Sequence, residues 1–312
     1  MRKILIFRSA IALFFLSSLL IYSCSREQGT EPVSFDADRE ALFQLVKDDS
    51  AVISIDGIED AAPRPITYGD GFDTEGDSIY PIKIGRRITG RNVDFSVSHE
   101  SDTIAVGTII RTVKGSLIII ASTDPEHSDT VKYIKPFTQT FTRKIKFRRI
   151  RRTPFPRRNW IIDGVSLTEG VSIPTSLSFS ELELISGRGE KLSFSDPLNT
   201  FLKRKDLPVF KVGDTVKVFV KVENTSGFGE GVMLHHGARH RFQKARGRLN
   251  DVGIYPDKAA GDGIYSGFWV VRRPSRRHIF HAFIDAMDPG TIFNSDAPFN
   301  SLVWGFPYVV RF

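Results

Sequence analysis

The 312-residue chain is 41% hydrophobic and holds 25 phenylalanines, a composition that excludes a disordered polymer and fits a globular protein with a real core. Three of its 43 basic residues and none of its 36 acidic ones fall within residues 1–23, which leaves a balance of +4 beyond them, too even for a dedicated nucleic-acid binder. A single cysteine, Cys24, excludes an internal disulfide and a thiolate metal cluster.

Arg2, Lys3 and Arg8 precede an almost wholly apolar run from Ala10 to Tyr22, the order of an export signal. The uncharged stretch Ser9 to Ser25 is 17 residues long. That is the short limit for spanning about 30 Å of hydrocarbon, which favours cleavage over a retained anchor. The stretch "LLIYSC", with Leu20, Ile21, Ser23 and Cys24, resembles the bacterial lipobox, in which a small residue precedes a cysteine that becomes the lipidated first residue. The resemblance implies a lipoprotein signal peptide over 1–23 and membrane attachment through Cys24. Ser25 stands where an inner-membrane retention signal would carry aspartate, which implies the outer membrane, at its periplasmic face or the cell surface. Several acyl chains, at about 0.8 kcal/mol per buried methylene, would make that attachment stable.

Residues 24–33 mix polar residues with Gly29 and Pro32 and lack periodicity, as a tether does. Over 34–49 an acidic first turn and the spacing of Ala41, Leu42, Leu45 and Val46 predict a helix. Beyond it, "AVISID", "TIAVGTIIRTV", "SLIIIAS" and "TVKYIKPF" read as short β-branched strands bounded by Gly, Pro, Asp or Ser, predicting a β domain over 50–158. Pro154 and Pro156 in "RRTPFPRRN" interrupt strand pairing, and a new strand starts at Trp160, opening a second β domain over 159–312. In "DTVKVFVKVEN", Val216, Val218, Val220 and Val222 share one face and Thr215, Lys217, Lys221 and Glu223 the other, with Phe219 an apolar exception among the polar positions. Strands are also expected at "GVMLHHGARHRF", "GIYSGFWVV", "RHIFHAFIDA" and "SLVWGFPYVVRF". The expected class is therefore mainly β, with two β-sandwich-like domains after a signal peptide and one short helix.

Between two of these strands, "LNDVGIYPDKAAGDGIYS" (249–266) is similar to the turn of a bacterial extracellular immunoglobulin-like module, with Asn250, Asp251, Gly253, Asp257, Gly261, Asp262, Gly263, Ile264 and Tyr265 matching. The resemblance covers at most 210–312 and implies an immunoglobulin-like C-terminal domain. It speaks to fold more than to activity. Asp and Asn bond their own backbone and Gly supplies positive φ, so consecutive tight turns are one reading of the segment. A calcium loop with Asp251, Asp257 and Asp262 as hard oxygen ligands is the other.

Nine Lys or Arg lie between Arg143 and Arg158 without an acid. Arg148, Arg149, Arg151 and Arg152 could hold the phosphates of an anionic lipid or another polyanion, or could protect a solvated sheet edge. His235, His236, His240, His278 and His281 crowd one region, but on strands His278 and His281 have opposite parity and cannot share a zinc site directly. Glu181 and Glu183 lie two apart on an expected strand and share a face, the minimum for paired-carboxylate glycoside chemistry. No GxSxG elbow, HExxH helix, Walker loop or Rossmann fingerprint is present, and "GFGEG" at 227–231 lacks the spacing. No catalytic residue is assigned.

The alternating Trp304, Phe306, Tyr308, Val310 and Phe312 resemble the closing strand of an outer-membrane barrel, although the chain's strands read as too short and irregular for one. The expected function is a lipid-anchored, non-catalytic binding or structural module of the cell envelope. Its rivals are a glycan-acting hydrolase or accessory subunit, to be decided by whether Glu181 and Glu183 line an aromatic-walled cleft, and a barrel-like membrane protein.

Overall fold

The computed structural model describes residues 35–49, 64–65, 79–226, 231–237, 244–274 and 279–311. The expected signal segment, Cys24, the tether, His240 and His278 lie outside them. Helix α1 (Phe35–Asp48) is followed by β1 (Arg64–Pro65) and three long strands, β2 (Tyr80–Ser101), β3 (Ile104–Ser122) and β4 (Val131–Arg149). One helical turn, α2 (Pro156–Asn159), leads into β5 (Trp160–Ser172), β6 (Leu177–Ile185), β7 (Lys191–Phe194) and β8 (Phe201–Leu202). Then come β9 (Val209–Lys211), β10 (Thr215–Asn224), β11 (Gly231–Gly237), β12 (Lys244–Leu249), β13 (Ile264–Val270), β14 (Ile279–Met287), the short helix α3 (Pro289–Phe293) and β15 (Ser301–Arg311).

The expected mainly-β class is what forms, with two sheets and, among the described residues, one helix of more than a turn or two. The larger sheet runs β1-β2-β3-β4-β5-β15-β14-β11-β12, with β8 added to β5 and β9 added parallel to β15. The smaller runs β13-β10-β6-β7, all antiparallel. Residues 39–312 make one compact unit. Within it Leu42 and Val46 of α1 pack with Phe95, Ile109, Ile145, Phe147 and Trp160.

The strands of the first half are not short. β2, β3 and β4 run 22, 19 and 19 residues. The glycines and the proline that look like breaks in the sequence have other roles. A Cβ at Gly107 would lie 2.7 Å from the Phe95 ring and 2.8 Å from the Phe147 ring, so this glycine marks a close approach inside a continuous strand. Pro136 pairs with Ser116 of β3, and β5 joins the other side of β4 only from Gln139 onward, so the missing N–H faces no partner strand.

Register shifts interrupt β2–β3 pairing at three places and β4–β5 pairing at two, and bulges of this kind bend and twist strands. The sheet curls until β2 faces β14, with β3, β4, β5 and β15 between them in pairing order. Ile84, Val113, Leu117, Phe137, Phe283 and Val303 fill the concave side.

On its other face the same sheet meets the four-stranded one. Val216, Val218, Val220 and Val222 of β10 and Leu182 and Leu184 of β6 pack against Trp304, Phe306, Tyr308 and Val310 of β15. Full burial of each such side chain is worth about 1.5–3 kcal/mol. The alternating aromatics of β15 are thus sandwich core, 0–3% exposed, and do not form the outward apolar band of a membrane barrel strand.

Candidate ligand-binding groove

The alternation that buries the valines of β10 turns Lys217, Phe219 and Lys221 outward. β6 flanks β10 with Glu183 opposite Phe219 and Glu181 opposite Lys221, and β13 flanks it on the other side with Ile264 opposite Lys221. Across this floor stands the 251–262 loop, which places Tyr255 as a wall. The result is a groove of about 560 Å³, within the range of small-ligand clefts. Tyr255 is 68% exposed, and Phe268 beside the groove on β13 is 52% exposed.

Charges of the two signs balance on the groove. Glu181, Glu183, Asp257 and Asp262 face Lys191, Lys217, Lys221 and Lys258. Lys191 ion-pairs with Glu183. That hydrogen bond, and then the carboxylate's charge, raises the Lys191 ammonium above its ordinary value. Ser193 Oγ donates to Glu181 at 2.5 Å. The Lys217 ammonium sits 5.0 Å from the centre of the Tyr255 ring, a cation–π contact that steadies the wall. Glu181 and Glu183 do line a cleft with aromatic walls. They project side by side from one strand.

Asp251, Asp257 and Asp262, singled out from the turn motif, come together, each offering an oxygen within 4.8 Å of the others. Three carboxylates so placed have the chemistry of a hard-cation site. Each is also served by backbone donors. Asp251 accepts from Gly261 N at 2.7 Å and Gly263 N at 2.8 Å, Asp257 from Gly253 N at 2.6 Å, and Asp262 from Ile264 N at 2.9 Å. Gly253, Gly261 and Gly263 take the positive φ that these turns require. Because the donors suffice to hold the loop, millimolar EDTA is expected to leave the melting temperature unchanged, whereas Asp251→Ala is expected to lower stability by about 1–3 kcal/mol through freed N–H groups. A chelator-induced fall of several degrees would assign a cation instead.

The basic run divides between two faces. Arg143, Ile145 and Phe147 point inward, and burial, followed by the charge of Arg111, pushes the Arg143 guanidinium down to about 9. Of the four arginines proposed for phosphate, Arg148 pairs with Asp163 at 3.1 Å, Arg152 with Asp102 at 3.3 Å, and Arg149 stacks on Trp160 at 4.5 Å. Arg157 pairs with Asp48 and Lys146 with Glu100. Among the histidines, His235 points to the concave side beside Asp285 while His236 stacks on Trp269, so these neighbours serve opposite faces of β11.

Sequence patterning singled out Phe219, Glu181, Glu183 and the aspartates, but not Tyr255 or Lys191. An aromatic residue set among Asp, Gly and Pro in a turn segment was the available signal for Tyr255. Compared with known proteins, the chain matches no family model, no curated protein and no solved structure.

Proposed function

We propose that this is a lipid-anchored protein of the cell envelope, tethered to the outer membrane through Cys24 after loss of residues 1–23, that acts as a non-catalytic binding module through the groove on its smaller sheet. The groove is the observation that carries the reading. It is built on a rigid sheet face, it keeps a large aromatic ring in solvent, and its polar groups converge on one volume. The immunoglobulin-like reading of 159–312 draws support from the packing of β6, β7, β10 and β13 on β5, β14 and β15, all drawn from residues 160–311, and from the turn motif.

Hydrolysis is the weaker reading of the same place. A glycosidase sets its two carboxyl groups on either side of the scissile bond, whereas Glu181 and Glu183 rise together from β6, one tied to Ser193 and the other to Lys191.

Two measurements test the proposal. Wild-type protein fed a labelled fatty acid is expected to take up label and enter the detergent phase, and Cys24→Ser to do neither. The full chain in detergent micelles is expected to co-sediment with insoluble envelope material, with retention about tenfold weaker in Tyr255→Ala, the loss of one hot-spot aromatic. An unlabelled wild type, or co-sedimentation that is absent or indifferent to Tyr255→Ala, overturns it.

A further inference from the structure

We infer that the ligand of the groove is a neutral oligosaccharide, an inference that rests on the binding-module reading above and adds the ligand's chemistry. Three observations narrow the class.

The floor offers side chains and no backbone. β10 is paired on both sides, by β6 and β13, and β6 is paired by β10 and, over Leu182–Ile185, by β7. An extended peptide lying over β10 could not gain main-chain hydrogen bonds from a strand already paired on both edges over Lys217–Lys221. Recognition must therefore come from side chains lying flat under the ligand.

Those side chains balance in charge, four carboxylates against four ammonium groups. A polyanion would meet the acids and a polycation the lysines, each at a cost that its opposite contacts must offset. A hydroxyl both donates and accepts. A ligand rich in hydroxyls satisfies carboxylates and ammonium groups alike, and the alternation of Glu and Lys across β6 and β10 presents acceptors next to donors.

The remaining contribution is aromatic. Tyr255 stands in solvent on the wall while Phe219 lies half-buried in the floor. A pyranose ring has apolar C–H faces and a polar rim. It can lay a face on Tyr255 or Phe219 and direct its rim to the charged groups around them.

Calorimetric titration of the full chain in detergent with cellohexaose, maltohexaose and hexa-N-acetylchitohexaose, with polygalacturonate as the acidic control, tests this. At least one neutral hexasaccharide is expected to bind, to compete with envelope co-sedimentation, and to bind about tenfold more weakly to Tyr255→Ala and to Phe219→Leu. Its affinity is expected to change less than twofold between about 50 and 500 mM salt, since no net charge is neutralised. Tyr255→Ala, at a solvent-exposed position, is expected to melt within a few degrees of wild type, which separates lost binding from lost folding. If envelope binding depends on Tyr255 but none of the hexasaccharides competes, or polygalacturonate or an unstructured peptide competes in their place, the sugar inference is overturned while the binding-module reading stands. If nothing binds in either experiment, both fall.

Discussion

Asp285→Ala is expected to destabilise the protein by about 3–5 kcal/mol, the cost of stranding a buried charge. Arg86 donates to Asp285 through both terminal nitrogens, at 2.6 and 3.0 Å, with side chains only 6% and 1% exposed. Ser301 Oγ donates to the same carboxylate at 2.9 Å, Gln139 donates to Ser301, and the Arg86 guanidinium lies 5.2 Å from the Phe299 ring. This cluster joins β2 to β14 across the concave side of the curled sheet, where no backbone pairing links them. Removing the acid leaves the buried Arg86 guanidinium without its carboxylate, with only Ser301 Oγ at 3.5 Å and the face of Phe299 beside it. Replacing both partners, as Arg86→Met with Asp285→Leu, is expected to recover most of the loss, because two well-packed apolar side chains carry no desolvation cost. Urea denaturation of the wild type and the two variants checks this. A single variant within about 1 kcal/mol of wild type would mean the pair holds nothing together.

The same pair sets an acid dependence. Burial alone would raise the Asp285 carboxyl, but the charge of Arg86, the hydrogen bond from His235 and those from Arg86 outweigh it and hold the group well below the usual carboxylate range. A depressed folded value means that the unfolded chain binds the proton first as pH falls. The stabilisation is therefore complete above the unfolded value of about 3.9 by a unit or so, and drains away as pH drops from about 5 toward the folded value. Between pH 5 and pH 3 the wild type is expected to lose more stability than the Arg86→Met, Asp285→Leu double variant. Equal losses would place the acid sensitivity elsewhere.

Much of the sandwich could be read from residue order, and much of the curl could not. The alternating valines of β10 state their buried face directly, and Phe219 announces itself as an apolar residue on the wrong side, which is where the groove floor lies. The turn at 249–266 declares its aspartates and glycines. What periodicity does not carry is strand order. Glu181 and Tyr255 are 74 positions apart in the chain and meet only because β6 and β13 both choose β10 as neighbour. Glycine misleads for a related reason. Gly107 has the same local look as a turn residue, and only the Phe95 and Phe147 rings lying over it, from β2 and β4, show why it must be small. Asp285 was more nearly visible. An acid within "HIFHAFIDAM", apolar on both sides, needs a partner if that strand is buried, though nothing in the sequence says that the partner is Arg86, 199 positions away.

Lys135→Met is expected to cost about 2–4 kcal/mol, because the carbonyls of Thr291, Asn294 and Ala297 lose this donor at once, while Gly290 O keeps the Asn294 N–H, and carbonyls left unserved in a buried site each carry a desolvation penalty of about 1–3 kcal/mol. From β4, Lys135 Nζ donates to Thr291 O and Ala297 O at 2.9 Å, to Gly290 O at 3.3 Å and to Asn294 O. These carbonyls belong to α3 and the loop after it. The N-terminus of α3 is closed separately by Asp288, which accepts from Gly290 N at 2.8 Å, so Lys135 serves the end that the cap leaves open. In effect one side chain fastens the β14–β15 connection to the long-stranded layer. Burial pushes the ammonium down to about 8, against the pull of Asp296 and Asp288. A lysine whose folded value lies below its unfolded one of about 10.4 makes the unfolded chain the better proton binder between those two values. Stability from this group therefore rises with pH across that window, and the rise should vanish in Lys135→Met. Lys135→Arg, whose planar fork cannot fit the same ring of oxygens, should not restore the wild type. Denaturant titration at pH 7 and pH 9.5 reads both effects, and a wild type that weakens toward pH 9.5 no less than Lys135→Met would remove this lysine from the account.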